Sequence, residues 1–190
     1  FNFFESKFNR AIQGGRLVGS GFKPLIYSAA LESGMTPATL VNDAPVVFDQ
    51  TEGATDWRPQ NSSGTFLGPT RLRTALYRSR NLVSVRLVRE LGIDRILEIA
   101  ERFGLDREQL PRDLSISLGT ASLTPVELAE IYAVFANGGF RVRHHLIDRI
   151  ESAEGAVLYQ TQPVSVCRTE CEGQQVSLDL EFDNRLQARQ

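Results

Sequence analysis

The chain has 190 residues, enough for one ordinary domain, and its 42% hydrophobic and 23% charged residues are typical of a globular protein. No run approaches the roughly 18 unbroken apolar residues of a membrane span, and a net charge of -2 gives no support to a nucleic-acid partner. The two cysteines, Cys167 and Cys171, exclude a disulfide-rich miniprotein.

The first predicted element is a helix over residues 20–33. Gly19-Ser20-Gly21 leads into it, and Pro24 falls in its first turn, where a missing N–H costs little. Gly34 is typical of the residue that ends a helix.

The middle of the chain predicts an irregular segment followed by three helices. Residues 35–69 are rich in turn residues and offer at best a short strand at Val46-Val47-Phe48. Apolar residues at helical spacing follow, and each helix has a start or stop signal. The helices are 71–77 with Thr70 as N-cap, 81–91 ending at Gly92, and a third capped by Asp94 and ending at Gly104. The apolar faces predicted for the last two are Leu82, Val85 and Val88, and Ile96, Leu97, Ala100 and Phe103.

The clearest helix start is Thr124-Pro125-Val126-Glu127, which combines an N-cap Thr, a Pro at the first helical position and a Glu placed for a capping box. We predict that this helix runs to Ala136. The periodicity then changes to two, which predicts strands near 141–151 and 156–160 around a turn at Ala153-Glu154-Gly155. The polar end of the chain is predicted to be loop-like.

Ser20-Gly21-Phe22-Lys23 places a hydroxyl and an amine three residues apart at a helix start. Residues i and i+3 share a helix face, so the amine can reach back to the hydroxyl. A serine nucleophile needs a base, and a lysine serves as one only when burial or a nearby cation lowers its pKa from about 10.4. The helix N-terminus also offers N–H groups to a developing oxyanion. The same tetrad occurs by chance in many proteins.

Ser79-Arg80-Asn81 lies at a break between two predicted helices and offers a second hydroxyl and a carboxamide. Taken alone, Ser79 is interpreted as the cap of the helix that begins near Asn81. Together with the first tetrad, it gives the order of the S-x-x-K and S-x-N motifs of penicillin-recognising serine enzymes.

Five segments, in order over residues 1 to about 160, closely resemble class A penicillin-binding proteins. Cys167 and Cys171 look like those of the penicillin-binding protein 1a branch of that family. The resemblance implies an α+β fold of the penicillin-binding and serine β-lactamase type, with a mostly helical part and the first strands of an antiparallel sheet. The segments are Gly19–Tyr27, Asn61–Thr70, Tyr77–Asn81, Leu118–Pro125 and Tyr132–Gly139.

The resemblance implies a serine D,D-transpeptidase that cross-links peptidoglycan stem peptides and is acylated by β-lactams. Ser20 would attack the D-Ala-D-Ala carbonyl or the β-lactam ring, and its N–H would form half of the oxyanion hole. Lys23 would accept the proton of Ser20, and Ser79 would relay a proton to the leaving amine. Asn81 would hydrogen-bond the amide of the bound acyl group. No cofactor or metal is implied.

One family motif is missing, because no Lys-Thr-Gly or Lys-Ser-Gly occurs in the 190 residues. In the family this motif lies on a sheet strand, recognises the substrate carboxylate and supplies the other oxyanion N–H. We therefore expect 1–160 to be the N-terminal half of a transpeptidase domain and 161–190 to be a polar insertion or linker. A second polypeptide or the remainder of the same protein would supply the Lys-Thr-Gly strand. The resemblance also implies the periplasmic side of a bacterial inner membrane, with a membrane anchor outside this sequence.

Three other groups of residues carry weaker signals. His144 and His145 would point to opposite faces of the predicted strand, so they cannot easily ligate one metal ion. Cys167 and Cys171 can close a small disulfide in an oxidising periplasm, stay as free thiols, or bind zinc. Trp57-Arg58-Pro59 either packs near the cleft or anchors a loop.

Two alternative functions stay open. A serine β-lactamase-like hydrolase needs a base that activates water, a glutamate in class A enzymes, and no Glu stands in a recognisable context. A non-catalytic sensor of β-lactams or peptidoglycan can keep all four candidate side chains. The lifetime of a β-lactam adduct separates the transpeptidase from the lactamase, and turnover of a donor–acceptor peptide pair separates an enzyme from a sensor.

Overall fold

Helices and short antiparallel strands form the structure of residues 4–48 and 56–162, the parts of the chain that the computed structural model describes. Two units are distinguished, Phe1–Leu128 and Ala129–Gln190. The mixture of helices and antiparallel strands agrees with the predicted α+β class. No helix among the described residues is long and apolar enough to cross a membrane.

The described residues form six α-helices and three 3₁₀ helices. In chain order the α-helices are α1 (Arg10–Gln13), α2 (Lys23–Glu32), α3 (Leu72–Tyr77), α4 (Asn81–Leu91), α5 (Ile93–Arg102) and α6 (Pro125–Ala136). The 3₁₀ helices are Gly19–Phe22, Arg107–Gln109 and Leu114–Leu118.

The strands in the described part of the chain form three separate antiparallel pairs. Each pair joins elements that are close in the fold but not always in the sequence. The pairs are β1 (Arg16–Leu17) with β4 (Ser122–Leu123), β2 (Leu40–Asp43) with β3 (Gly68–Arg71), and β5 (Arg149–Glu151) with β6 (Val157–Gln160).

Helices α2 and α4 form the centre of the first unit, where α2 packs against α3, α4 and α5. The predicted apolar face of α4 is buried, and Val83 and Leu87 are buried as well. The helix is amphipathic with a wide apolar face, while Arg89 and Glu90 are exposed on the other side. Full burial of each large apolar side chain is worth about 1.5–3 kcal/mol. The ends of α4, at Asn81 and Gly92, are where the sequence predicts them.

The pairing of β1 with β4 brings two distant segments of the chain together. Beyond the strands, Val18 N donates to Ala121 O at 3.0 Å and Gly19 N donates to Gly119 O at 2.9 Å. The turn at Gly119 is therefore fixed directly beside the 3₁₀ helix that contains Ser20.

The capping box at the start of α6 is confirmed. Glu127 N donates to Thr124 Oγ1 at 3.2 Å, and Thr124 N donates to the Glu127 carboxylate at 2.7 Å. Two other predicted caps are wrong. Thr70 lies in β3 and donates its hydroxyl to Gly68 O, and Asp94 in the first turn of α5 makes an ion pair with Arg107.

The strand predictions are only partly confirmed. Only Arg149–Glu151 of the predicted strand 141–151 is extended in a sheet, whereas Val157–Gln160 matches its prediction. With the described residues, segment 46–48 pairs through one isolated bridge, from Phe48 to Trp57. Strands β2 and β3 were not predicted, because Asn, Asp, Gly and Pro in them favour turns and the pairing partner supplies the preference.

Candidate active site

Ser20 and Lys23 lie on the two sides of a junction between helix types. Ser20 is in the 3₁₀ helix Gly19–Phe22, and Lys23 is the first residue of α2, with Pro24 next to it. The Lys23 backbone N–H donates to Ser20 O, which continues the chain smoothly from one helix into the other. Ser20 is exposed, whereas Lys23 is only 1% exposed. The amine is thus held in the protein interior below a hydroxyl that solvent can reach.

Ser79 occupies the left-handed position that follows helix α3. Among the described residues it is the one non-glycine residue with a positive φ, 54°. Ser79 N donates to Leu76 O at 2.9 Å and Arg80 N donates to Ala75 O at 2.8 Å, the two bonds that define a Schellman motif. Glycine usually takes this position, since a side chain there costs about 1–2 kcal/mol. Ser79 is held in this conformation despite that cost, and its hydroxyl stands at a position where glycine has no side chain.

The Ser79 hydroxyl links the other two residues of the site. Lys23 Nζ lies 2.9 Å from Ser79 Oγ, and Ser79 Oγ lies 2.9 Å from Ser20 Oγ. Within the described part of the chain, Lys23 Nζ makes no hydrogen bond to the Ser20 hydroxyl, and its partners are Ser79 O, Ser79 Oγ and Asn81 Oδ1. The i, i+3 spacing lets the amine reach back toward Ser20, but the hydrogen bonds between the two residues' side chains pass through the Ser79 hydroxyl.

Asn81 completes the set of groups around the amine. Lys23 Nζ donates to Asn81 Oδ1 at 2.7 Å and to Ser79 O at 2.7 Å. The other end of the Asn81 amide donates from Nδ2 to Gln60 O at 2.9 Å, which fixes its orientation. All four residues named from the sequence are therefore together. Capping of α4 by the Ser79 side chain is wrong, because the Ser79 hydroxyl bonds to Lys23 and Ser20 and the first turn of α4 is capped by Asn61.

Burial and charge both change the acidity of the Lys23 amine. Loss of hydration by burial, and then the positive charge of Arg80, lower the pKa of Lys23 from 10.5 to about 8. As an ammonium ion, Nζ donates to all three neighbouring oxygens. As a neutral amine it can donate to Ser79 O and Asn81 Oδ1 and accept the hydroxyl proton of Ser79. The same atoms thus suit both protonation states.

Three residues that support the site were missed in the sequence. Asp43 and Arg80 form a buried ion pair, with Arg80 Nε 2.7 Å from Asp43 Oδ2. Asn61 Oδ1 accepts the N–H of Leu82 at 3.2 Å and so caps α4 from a distant segment. Two signals were available: Arg80 is the middle residue of the S-x-N motif, and Asn61 begins one of the segments that resemble the family.

The remaining candidates do not join the site. Trp57 packs on Phe48 with ring centroids 5.3 Å apart, and Gln60, which follows Trp57-Arg58-Pro59, accepts a hydrogen bond from Asn81. His144 and His145 do not lie on a strand, and His144 Nδ1 is 2.6 Å from Glu130 Oε1. Across residues 4–48 and 56–162 no cluster of three metal-binding side chains occurs. Cys167 and Cys171 lie outside the described residues.

A family model for the transpeptidase domain of penicillin-binding proteins matches residues 2–175. The chain belongs to this family. Penicillin-binding protein 1A of Pseudomonas aeruginosa is 54% identical over 166 residues, which are 87% of this chain and 20% of that protein. Penicillin-binding protein 1A of Escherichia coli is 42% identical over 172 residues, 90% of this chain and 20% of that protein. The chain thus spans about a fifth of the length of these curated relatives.

Solved structures of penicillin-binding proteins share this fold. The crystal structure of penicillin-binding protein 1A from Haemophilus influenzae has a TM-score of 0.80 at 41% identity, and covers 85% of this chain and 24% of that one. Penicillin-binding protein A from Mycobacterium tuberculosis, solved as an imipenem acyl-enzyme complex, has a TM-score of 0.71 at 28% identity over 83% of this chain and 40% of that one. The penicillin-binding fold expected from the sequence is confirmed.

Proposed function

We propose that this chain carries the acyl-forming residues of a serine D,D-transpeptidase that cross-links peptidoglycan stem peptides and is acylated by β-lactams. The observation that supports this most is the chain of hydrogen bonds from Ser20 through Ser79 to Lys23, whose pKa is lowered to about 8. A lysine in this state supplies a fraction of neutral amine near neutral pH, which a general base requires.

In the proposed reaction, Ser20 Oγ attacks the carbonyl carbon of D-Ala-D-Ala or of a β-lactam. The Ser20 proton passes to Ser79 Oγ while the Ser79 hydroxyl proton passes to Lys23 Nζ, which becomes an ammonium ion. Both transfers follow contacts of 2.9 Å that exist before substrate binds. In the structure Lys23 Nζ donates to Ser79 Oγ and Ser79 Oγ donates to Ser20 Oγ, so the transfers require both hydroxyl hydrogens to turn toward the neutral amine. The oxyanion is stabilised by the Ser20 N–H as one of two donors.

Collapse of the tetrahedral intermediate breaks the carbon–nitrogen bond, and the leaving nitrogen takes a proton. We assign that step to the reverse route, from the Lys23 ammonium to Ser79 Oγ and from the Ser79 hydroxyl to the nitrogen. Asn81 holds the ammonium through Oδ1 and hydrogen-bonds the amide of the bound acyl group. The other oxyanion donor and the carboxylate-binding residues are assigned to a Lys-Thr-Gly strand that this sequence does not contain.

The same proposal includes a place in the cell. The chain is similar to penicillin-binding protein 1A of several bacteria. We assign it to the periplasmic side of the inner membrane, where peptidoglycan is assembled, with an anchor outside this sequence.

The test is labelling of the intact protein with a fluorescent penicillin, followed by peptide mass spectrometry. Ser20→Ala should abolish the label. Ser28→Ala is the matched control, since Ser28 lies on α2 and donates only to Pro24 O within its own helix. An adduct on any other residue would refute the assignment. A long-lived adduct and turnover of a donor–acceptor peptide pair support the transpeptidase over the hydrolase and the sensor.

A further inference from the structure

The side chain between Ser79 and Asn81 is buried and fully engaged. The Arg80 and Asp43 side chains are 8% and 0% exposed, and Arg80 Nε donates to Asp43 Oδ2 at 2.7 Å. Arg80 Nη1 donates to Ser63 Oγ at 2.9 Å, and Nη2 donates to Thr65 O. Every nitrogen of the guanidinium therefore has a partner, and the residue after Ser79 has little freedom to rotate.

Asp43 connects this arginine to the loop that supports α4. Its carboxylate also accepts Asn61 Nδ2 at 2.8 Å and Leu67 N at 3.0 Å. Asn61 in turn caps the first turn of α4 at Leu82 N. The end of β2, the loop 61–67 and the start of α4 are thus joined through one carboxylate.

A buried ion pair is by itself weak support for fold stability, because the loss of hydration offsets the attraction of the charges. A reason other than fold stability is therefore needed for an ion pair at this position, next to Ser79. Arg80 is the residue whose N–H closes the Schellman turn onto Ala75 O, and that turn holds Ser79 at its positive φ. Strained backbone persists only where the surroundings hold it.

We propose that Arg80, held by Asp43, is the positioning residue that keeps Ser79 between Ser20 and Lys23. The inference rests on the proposed function and extends it to two residues that do not touch the reacting atoms. The Arg80 charge also acts on the lysine, since it is the second cause, after burial, of the lowered pKa of Lys23.

Other ionisable groups on α2 and the elements around it do not take the role proposed for Arg80. Tyr27, one turn beyond Lys23, stays neutral because burial raises its pKa. Glu32 lies at the far end of α2, where it pairs with Arg95 and Arg102 of α5. Asp43 is the anion that faces Arg80, and it offsets part of the positive charge near the amine.

The experiment measures the rate constant of acylation by a fluorescent penicillin against pH in the intact protein. Arg80→Met removes the positive charge, so the inflection of its rate–pH profile should move up by about one pH unit. Its acylation rate at the high-pH plateau should fall. Asp43→Asn breaks the same ion pair but leaves the positive charge. Its plateau should fall with no rise of the inflection. Arg80→Lys keeps the positive charge but loses the planar guanidinium that bonds to several partners at once. The inflection of its rate–pH profile should therefore stay near 8, while its acylation rate at the high-pH plateau should fall about tenfold.

Arg102→Met is the matched control. The Arg102 side chain is also 8% exposed and pairs with Glu32, so its loss should cost stability without moving the inflection. The proposal is overturned if Arg80→Met keeps the inflection of the unaltered protein and its acylation rate falls no further than that of Arg102→Met. The ion pair of Arg80 with Asp43 would then have a structural role only. If Arg80→Met does not fold, Arg80→Lys provides the test, and acylation of Arg80→Lys at the rate of the unaltered protein overturns the proposal. Absence of label on Ser20 in the unaltered protein would instead refute the proposed function.

Discussion

The backbone of Gly119 lies directly against that of Gly19, the residue before Ser20. Gly19 N donates to Gly119 O at 2.9 Å, and a Cβ on Gly119 would lie 1.9 Å from Gly19 O. Gly119 also has a φ of 73°. The turn after the 3₁₀ helix Leu114–Leu118 therefore sets the position of the segment that carries the proposed nucleophile.

We expect Gly119→Ala to slow acylation by about 100-fold, because displacement of a reacting group by about 1 Å has an effect of that size. Labelled-penicillin kinetics measure it. Gly34→Ala is the control, since Gly34 has a φ of 93° but nothing within 4 Å of the added Cβ. It should lose stability and keep its acylation rate. Equal rates in the two variants would mean that the contact between Gly119 and Gly19 has no part in positioning Ser20.

Lys23→Ala should slow acylation by about 10²–10⁴-fold, the range that general-base catalysis contributes. Lys23→Arg should fail almost as completely, because arginine does not give up its proton. Single-turnover acylation of the intact protein measures both variants. Acylation of the arginine variant at the unaltered rate would show that Lys23 is not the base.

The four site residues could be named from the sequence because the motifs state their types and spacing. The proposed route of the proton could not be found in this way, because it depends on where a turn places Ser79 relative to Lys23. Spacing along one helix indicated that the Lys23 amine can reach back to Ser20, whereas the observed hydrogen bonds pass through a residue 56 positions away from the lysine. The placement of Ser79 beside Lys23 depends on tertiary packing, which the local sequence does not reveal.

The helices were easier to predict than the strands for a related reason. Helix α4 ends at Gly92 as predicted and its bounds agree with the structure, although its N-terminal cap comes from the distant Asn61. Strands β2 and β3 are stabilised by each other across a long connection, and their own residues favour turns. The partnership of Asp43 with Arg80 depends on that same pairing, so it could be found only in the structure.

The rate of acylation should rise with pH and level off above an inflection near pH 8, the pKa of Lys23. Only the neutral amine acts as a base, so the rate should fall about tenfold per pH unit well below the inflection. The same shift has a consequence for stability. Between about 8 and 10.5 the unfolded chain binds more protons at this lysine than the folded chain, so stability should rise with pH across that window. A pH profile with no inflection between 7 and 9 would contradict the assignment of Lys23.

Ser79 allows function and stability to be separated in one position. Ser79→Gly removes the hydroxyl and also the cost of about 1–2 kcal/mol for a side chain at positive φ. It should therefore fold more stably than Ser79→Ala, which keeps that cost and loses the hydrogen bonds to Ser20 and Lys23. Both variants should lose acylation to a similar extent, because both lack the group that passes the proton. Thermal melts and acylation kinetics of the two variants, side by side, measure this. A glycine variant that acylates at the unaltered rate would show that the hydroxyl relays no proton, and that Lys23 acts on Ser20 by another route.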